Sequence, residues 1–316
     1  MPLKRLIKNI NPKKIFTKTM EGIIILLVFI IVILYYLSRP VYSNRVVYIP
    51  KGNTNYTIKY LNKRDFDIYK IDKVIIDYFG YPQAGWVDLK ATKMSKLDFL
   101  YKITHSKAAL AKVIIIPGET NYFIFKQIGK KLKIKNFKCD IDEGFLKPDT
   151  YYLPIGMKPS RVCEYLYNIA LKWHKDLSYK FTGIWNYKVY KTKLIIASII
   201  QKEAASSQEM PLISAVIYNR LKTHMKLQMD GTLNYGKYSH TKVTPYMLRN
   251  NNSFYNTYKH YGLPKEPVCV VSKFAIKAAF FPAKVNYLYF VKCGKHHIFA
   301  TTYKEHLKNI RKCKIK

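Results

Sequence analysis

The stretch Gly22–Leu37, GIIILLVFIIVILYYL, constrains this chain more than any other, because it runs for 16 residues without a charge. As a helix it would span about 24 Å at ~1.5 Å per residue, slightly short of a hydrocarbon core of roughly 30 Å. Ser38 and snorkelling by Glu21 and Arg39 close that gap. The segment has no polar face, so it does not read as the buried helix of a soluble core. Lys4, Arg5, Lys8, Lys13, Lys14 and Lys18 precede it against Glu21 alone. That asymmetry predicts a transmembrane helix over 22–38, a cytoplasmic tail over 1–21, and everything after residue 38 outside. A cleaved signal peptide is the rival reading, but the run is long for one and no A-x-A-like site follows it.

The rest of the chain must fold outside the bilayer. Of 316 residues, 49% are hydrophobic and 15% aromatic, which supports a packed core and excludes wholesale disorder or a collagen-like repeat. With the six tail cations and one tail acid set aside, 49 basic and 18 acidic residues remain, a net charge of +31. Such a domain is drawn to an anionic lipid surface or an acidic wall polymer, or it simply carries a lysine-rich solvated surface. Outside the membrane, nucleic acid is not an expected partner. Five cysteines with no C-x-x-C pair indicate no zinc site, and at most two bridges with one thiol left over.

A faint internal echo organises the exported region. Ile49-Pro50, Gly52, Thr54-Asn55-Tyr56 and Ile58 recur as Ile116-Pro117, Gly118, Thr120-Asn121-Tyr122 and Ile124. Each copy reads as strand, turn, then helix. Two copies are too few for a solenoid, so the expected class is α+β in two parts, 39–112 and 113–316. The first part holds helix candidates over Asp65–Phe79 and Ser95–His105, the latter with Ser95 as N-cap and Asp98 in its first turn. It shows no convergent polar cluster, and binding or spacing is its default role.

The second part carries the chemistry. Lys191–Ser206 reads as a helix with Ile196, Ile199 and Ile200 as its apolar stripe, and Glu203 falls on the same face. A carboxylate facing a core has its pKa raised by desolvation, which suits a proton donor. The bland alternative ends the helix near Lys202 and leaves Glu203 solvated. A second helix opens at Ser207, Glu209 and Pro211 and ends at Asn219-Arg220. Alternation beyond it places Gln228, Asp230 and Thr232 on one side of an extended segment, where they suit either a sugar's hydroxyls or a satisfied turn. Tyr287–Val291 and His297–Thr301 read as a hairpin, and Thr302-x-x-Glu305 as a capping box for the last helix. His297 is either a substrate contact or a hydrogen-bonding strand residue, and His306 is assigned to structure. No histidine and carboxylate spacing resembles a metal site, and no cofactor is called for.

Taken in order, these segments resemble the endolytic murein transglycosylases. The resemblance rests on Glu143–Tyr151, Ala197–Glu203, Asn219-Arg220-Leu221, Leu227-Gln228-x-Asp230-x-Thr232, Tyr235-Gly236, Tyr255-Asn256-Thr257-Tyr258, Gly262-Leu263-Pro264, Tyr287–Val291 and His297-x-Phe299. It implies a single-pass protein of the bacterial inner membrane. The exported part would join a LysM-like unit (39–112) to a transglycosylase domain (113–316) that cleaves the MurNAc to GlcNAc β-1,4 bond of nascent peptidoglycan, leaving 1,6-anhydro-MurNAc ends. The family's catalytic glutamate falls on Glu203. Gln228, Asp230, Thr232, Tyr255, Asn256, Tyr258 and His297 are the substrate-binding candidates, with peptidoglycan strands as the partner and peptidoglycan synthases as candidate partners. Four positions depart from the family's usual residues. Gln201 replaces a glutamate, Gly231 and Phe254 replace prolines, and Ile116-Pro117-Gly118 lacks a glutamate. Gly231 is expected to loosen the backbone beside Gln228 and Asp230.

The implied chemistry fits the residues, since one glutamate can serve as acid and then base where a hydrolase needs two carboxylates. Two other classes stay open: a tethered, non-catalytic wall binder, and a muramidase that admits water.

Overall fold

The computed structural model describes residues 12–314, so Lys4, Arg5 and Lys8 of the tail lie outside the described residues. The protein is α+β and divides into two compact units, one ending at Leu110 and the other beginning at Ala111.

Unit 1 opens with helix α1, Pro12–Ser38, which includes Phe16–Ser38, a 23-residue stretch long and apolar enough to cross a membrane. Strands β1 (Pro40–Tyr42) and β2 (Val46–Ile49) follow, then helices α2 (Thr54–Asn62) and α3 (Lys73–Phe79). Strands β3 (Gly85–Asp88) and β4 (Lys93–Ser95) and helix α4 (Lys96–His105) complete it. β1 pairs antiparallel with β4, and β2 with β3. Ile49, Leu61, Ile68, Ile76, Phe99 and Ile103 fill the core between sheets and helices. Ser95 caps α4 by accepting the Asp98 N–H at 3.1 Å, as its sequence signature predicts.

The helix expected over Asp65–Phe79 is much shorter. Asp65 takes φ 61°, and the chain stays irregular until a 3-10 turn at Lys70–Asp72 starts α3. The cause is local: Ile68 is drawn into the core while the Asn62 side-chain amide donates to its carbonyl.

Nor is unit 1 without a convergent polar cluster. Lys96 and Asp72 are fully buried and paired at 3.2 Å. Tyr36, from the last turns of α1, donates to Asp72 Oδ1 at 3.0 Å and accepts from Lys96 Nζ at 2.5 Å. The Tyr69 N–H fills the other oxygen at 2.8 Å. Every charge in the cluster has a partner, as burial requires.

Unit 2 contains β5 (Leu110–Ile115), α5 (Asn121–Leu132), β6 (Asp149–Pro154), and the long helices α6 (Pro159–Thr182), α7 (Tyr187–Glu203) and α8 (Met210–Lys222). Then come α9 (Pro245–Asn250), α10 (Lys273–Phe280), the hairpin β7 (Tyr289–Cys293) and β8 (His296–Ala300), and α11 (Tyr303–Lys314). The strand, turn and helix of the sequence echo are β2 to α2 and β5 to α5.

Helix α7 is central to the larger core. From Leu194 to Ile200 every residue is buried, against Ile213, Val216 and Ile217 of α8 and Ala275, Ile276 and Ala279 of α10. Polar bonds fix the register of the buried segment beside it. The Val268 N–H donates to Ser198 Oγ at 2.9 Å, and the Ser272 N–H to Gln201 Oε1 at 3.0 Å. Gln201 therefore acts as a brace between α7 and the start of α10. Two disulfides form, Cys139–Cys163 and Cys293–Cys313, and Cys269 remains a buried thiol. The second ties α11 to β7.

Candidate active site

Helix α7 stops at Glu203 because Ala204 turns to extended backbone, with φ −68° and ψ 131°. The acid thus stands at the helix's carboxyl end, half-buried, where unpaired carbonyls also disfavour negative charge. Burial raises its pKa from an ordinary 4.5 to about 7, and nearby Asp230 adds to the rise. The Gly231 N–H, donating to Oε1 at 2.7 Å, and the positive Arg220 act in the opposite direction. The bland alternative does not hold, since the helix reaches Glu203 and its carboxyl group is withdrawn from water.

Glu203 lines a groove of about 600 Å³, together with Gln228, Asp230, Tyr258 and His297. Five of the eight residues singled out in the sequence therefore meet in one place. The extended alternation expected at Gln228–Thr232 does not form. Gln228 has φ 45°, and Asp230–Leu233 winds into a 3-10 turn. That rotation sends Thr232 inward, where it bonds the Met229 carbonyl at 2.7 Å and Thr257 at 3.1 Å. Nor is the backbone at Gly231 loosened: the residue is buried and pinned to Glu203.

Asn256 is fully buried. Its amide donates to the carbonyls of Leu248 and Asn251, and its Oδ1 accepts the Tyr258 N–H, so it shapes the loop that presents Tyr258. Tyr258 in turn donates to Asp230 Oδ1 at 2.7 Å. Tyr255 does not line this groove. It stacks on Tyr235 with centroids 4.1 Å apart, and burial pushes its phenol up to about 12.

His297 unites both of its readings. It lines the groove, and Glu209 holds it by accepting its backbone N–H and pairing with Nδ1, each at 2.8 Å. Burial alone would raise the Glu209 pKa, but these bonds keep it below its ordinary value.

Several groove residues are not among the site candidates read from the sequence, although they figure there as motif or structural residues. Arg220, only 7% exposed, donates to the carbonyls of Leu288 at 2.7 Å and Leu227 at 2.5 Å, so one side chain clamps both walls. Asn219 adds bonds to the Val285 and Tyr287 carbonyls, both at 2.9 Å. The wall so held presents Tyr289, with His306 of α11 stacked on it at 5.3 Å. His306 therefore borders the groove as well as packing.

A second acidic group lies beyond Lys202, whose ammonium reaches Ser239 at 2.8 Å. Next to it His240 pairs with Glu119 at 3.0 Å, while Glu143 accepts the Asn121 N–H at 3.0 Å, at the start of α5. Burial lifts the Glu143 pKa to about 7 against these hydrogen bonds. Its motif was visible in the sequence; its burial was not.

Residues 47–312 match the model of the YceG-like family. The chain is 34% identical over 177 residues to the endolytic murein transglycosylase of Bacillus subtilis, covering 55% of this chain and 48% of the relative. To the endolytic murein transglycosylase of Streptococcus pneumoniae R6 it is 32% identical over 248 residues, 72% of this chain and 43% of the relative. It thus spans less than half the length of the curated relatives it matches. The crystal structure of a YceG-like protein from Listeria monocytogenes superposes with a TM-score of 0.53 at 25% identity, over 85% of this chain and 99% of that one. A family match that runs from β2 into α11 and takes in every groove residue leaves one assignment: the chain belongs to the YceG-like family.

Proposed function

We propose that this protein is a membrane-anchored endolytic lytic transglycosylase that cuts the MurNAc to GlcNAc β-1,4 bond of nascent peptidoglycan and so limits strand elongation. The observation that carries the reading is Glu203, an acid poised near neutrality in an open, aromatic-walled groove. The names of the relatives from Bacillus subtilis and Streptococcus pneumoniae support the substrate.

In the first step neutral Glu203 gives its proton to the glycosidic oxygen, and the GlcNAc side departs as the muramoyl anomeric carbon gains oxocarbenium character. In the second, the Glu203 carboxylate takes the proton of the muramoyl C6 hydroxyl while that oxygen bonds to the anomeric carbon. The anhydro ring closes, Glu203 is neutral again, and no water is consumed. A midpoint near 7 serves an acid that must also act as base. Asp230, held by Tyr258, supplies negative charge beside the developing cation. Tyr289 offers a flat face to a pyranose ring, and Gln228 and His297 offer hydrogen bonds.

The anchor in this reading is the apolar stretch of α1, with residues 1–21 cytoplasmic and both folded units on the outer face of the inner membrane. The β2–α2–α3–β3 order of unit 1 supports a LysM-like, wall-holding unit over 39–112. Digestion of purified peptidoglycan, followed by mass spectrometry of the fragment ends, tests the chemistry. The expected fragments carry 1,6-anhydro-MurNAc. Reducing MurNAc ends would make the protein a muramidase, and intact strands would make it a tethered binder.

A further inference from the structure

Gly231 sits where the 3-10 turn passes closest to the end of α7. A Cβ placed on it would lie 2.6 Å from the Lys202 Cβ and 2.8 Å from Glu203 Oε1, so no side chain fits without movement of the helix end or of the acid. Because the site is bare, the backbone comes near enough for its N–H to reach Oε1 at 2.7 Å. Among the described residues Oε2 has no hydrogen-bond partner. A carboxyl oxygen receiving an N–H is the poorer place for the acid's own proton, since two donors would then face each other.

We propose that Gly231 is a positioning residue for Glu203: its N–H holds Oε1, so that Oε2 carries the proton that is given to the substrate and later regained. The proposal rests on reading Glu203 as the acid and base. In the first step the bond from Oε2 to hydrogen breaks as hydrogen bonds to the glycosidic oxygen, and the electron pair stays on the carboxylate. The N–H donated to Oε1 then stabilises that anion until the C6 proton arrives on Oε2. A single oxygen does both transfers, so the acid has no rotation to make between them. Lys202, Arg220, Asp230, Tyr258, Tyr289, Lys292, His297, Tyr303 and His306 are the other titratable or charged groups lining this groove, and none donates to Oε1.

Two variants of the full chain, solubilised in detergent, separate the N–H from the space around it. Gly231→Ala adds a Cβ and keeps the donor, whereas Gly231→Pro adds a comparable bulk and deletes the donor. The chain has eight glutamates. With them ¹³C-labelled at the carboxyl carbon, Glu203 is assigned by the signal lost in Glu203→Gln and titrated by NMR, and glycan cleavage is profiled against pH alongside. The expected result is a Glu203 midpoint about one pH unit higher in Gly231→Pro than in Gly231→Ala. The alkaline limb of cleavage should move with it, and Gly231→Ala should lie modestly above the unaltered chain because its Cβ crowds Oε1. Equal midpoints in the two variants overturn the proposal. A midpoint that moves while the cleavage limb stays put supports the hold on Oε1 and sinks the acid–base reading instead.

Discussion

Asp72 in unit 1 and Glu203 in unit 2 are both acids withdrawn from water, and their surroundings give them opposite uses. Asp72 has a fully buried ammonium at 3.2 Å, a phenol at 3.0 Å and a backbone N–H at 2.8 Å. Its charge is answered on all sides, and the cluster ties a helix, a 3-10 turn and α4 together. Glu203 has one backbone donor, no cation in salt-bridge range among the described residues, and an oxygen left over. Its neutral and charged forms lie close in free energy at neutral pH. A buried charge with a full set of partners is architecture; one left short of partners is a group that can pass a proton.

The comparison breaks most decisively at Glu203. Glu203→Gln keeps shape and removes the proton, so glycan cleavage should fall by about 100- to 10,000-fold. Melting of unit 2 should barely change. A folded variant cleaving at near the original rate would move the acid elsewhere.

In unit 1 the effect should fall on stability. Lys96→Met strands Asp72 as an unpaired buried charge and should cost about 3–5 kcal/mol, read by hydrogen exchange at the Leu100 and Ile103 amides. The double change Lys96→Met with Asp72→Leu should recover much of that loss. Failure of the double change to recover any would mean that the pair's geometry, not its charge balance, holds the cluster.

The mildest test concerns pH. Glu203 lies above its ordinary value, so the folded chain keeps a proton that the unfolded chain releases between pH 4.5 and about 7. The group's contribution to stability accordingly falls as pH rises through that window, and the acid form needed for the first step is lost above it. Asp230→Asn removes a charge that disfavours ionisation, so the midpoint and the alkaline limb of cleavage should move down by up to about one pH unit. An upward shift would assign Asp230 some role other than that of a neighbouring negative charge.

How far the residues announce this structure depends on distance along the chain. Ser95 and the Thr302–Glu305 box are local devices that use three or four residues, and both are legible. The hairpin from Tyr289 to Ala300 is legible for the same reason. Thr232 is misread because strand alternation assumes an extended chain, and the φ of 45° at Gln228 breaks that assumption. Lys96 has the look of a surface helix residue; only the fold brings Asp72 and Tyr36 to it. The groove wall is harder still, since the strand that presents Tyr289 is held by Arg220 and Asn219 through backbone carbonyls about 70 positions away, and carbonyls carry no sequence signal.

The lock at the end of α1 has a mechanical consequence. The first strand begins at Pro40, two residues past the helix end, and Tyr36 and Arg39 on either side of that end are bonded into the folded unit, the latter to Asp67 at 3.1 Å. For a helix read as a membrane span, this leaves no leash. Unit 1 cannot swivel on a linker; it moves only as the helix tilts, like a crank on its shaft. Were α1 to span a bilayer, any tilt it took to match the thickness would carry unit 1 with it.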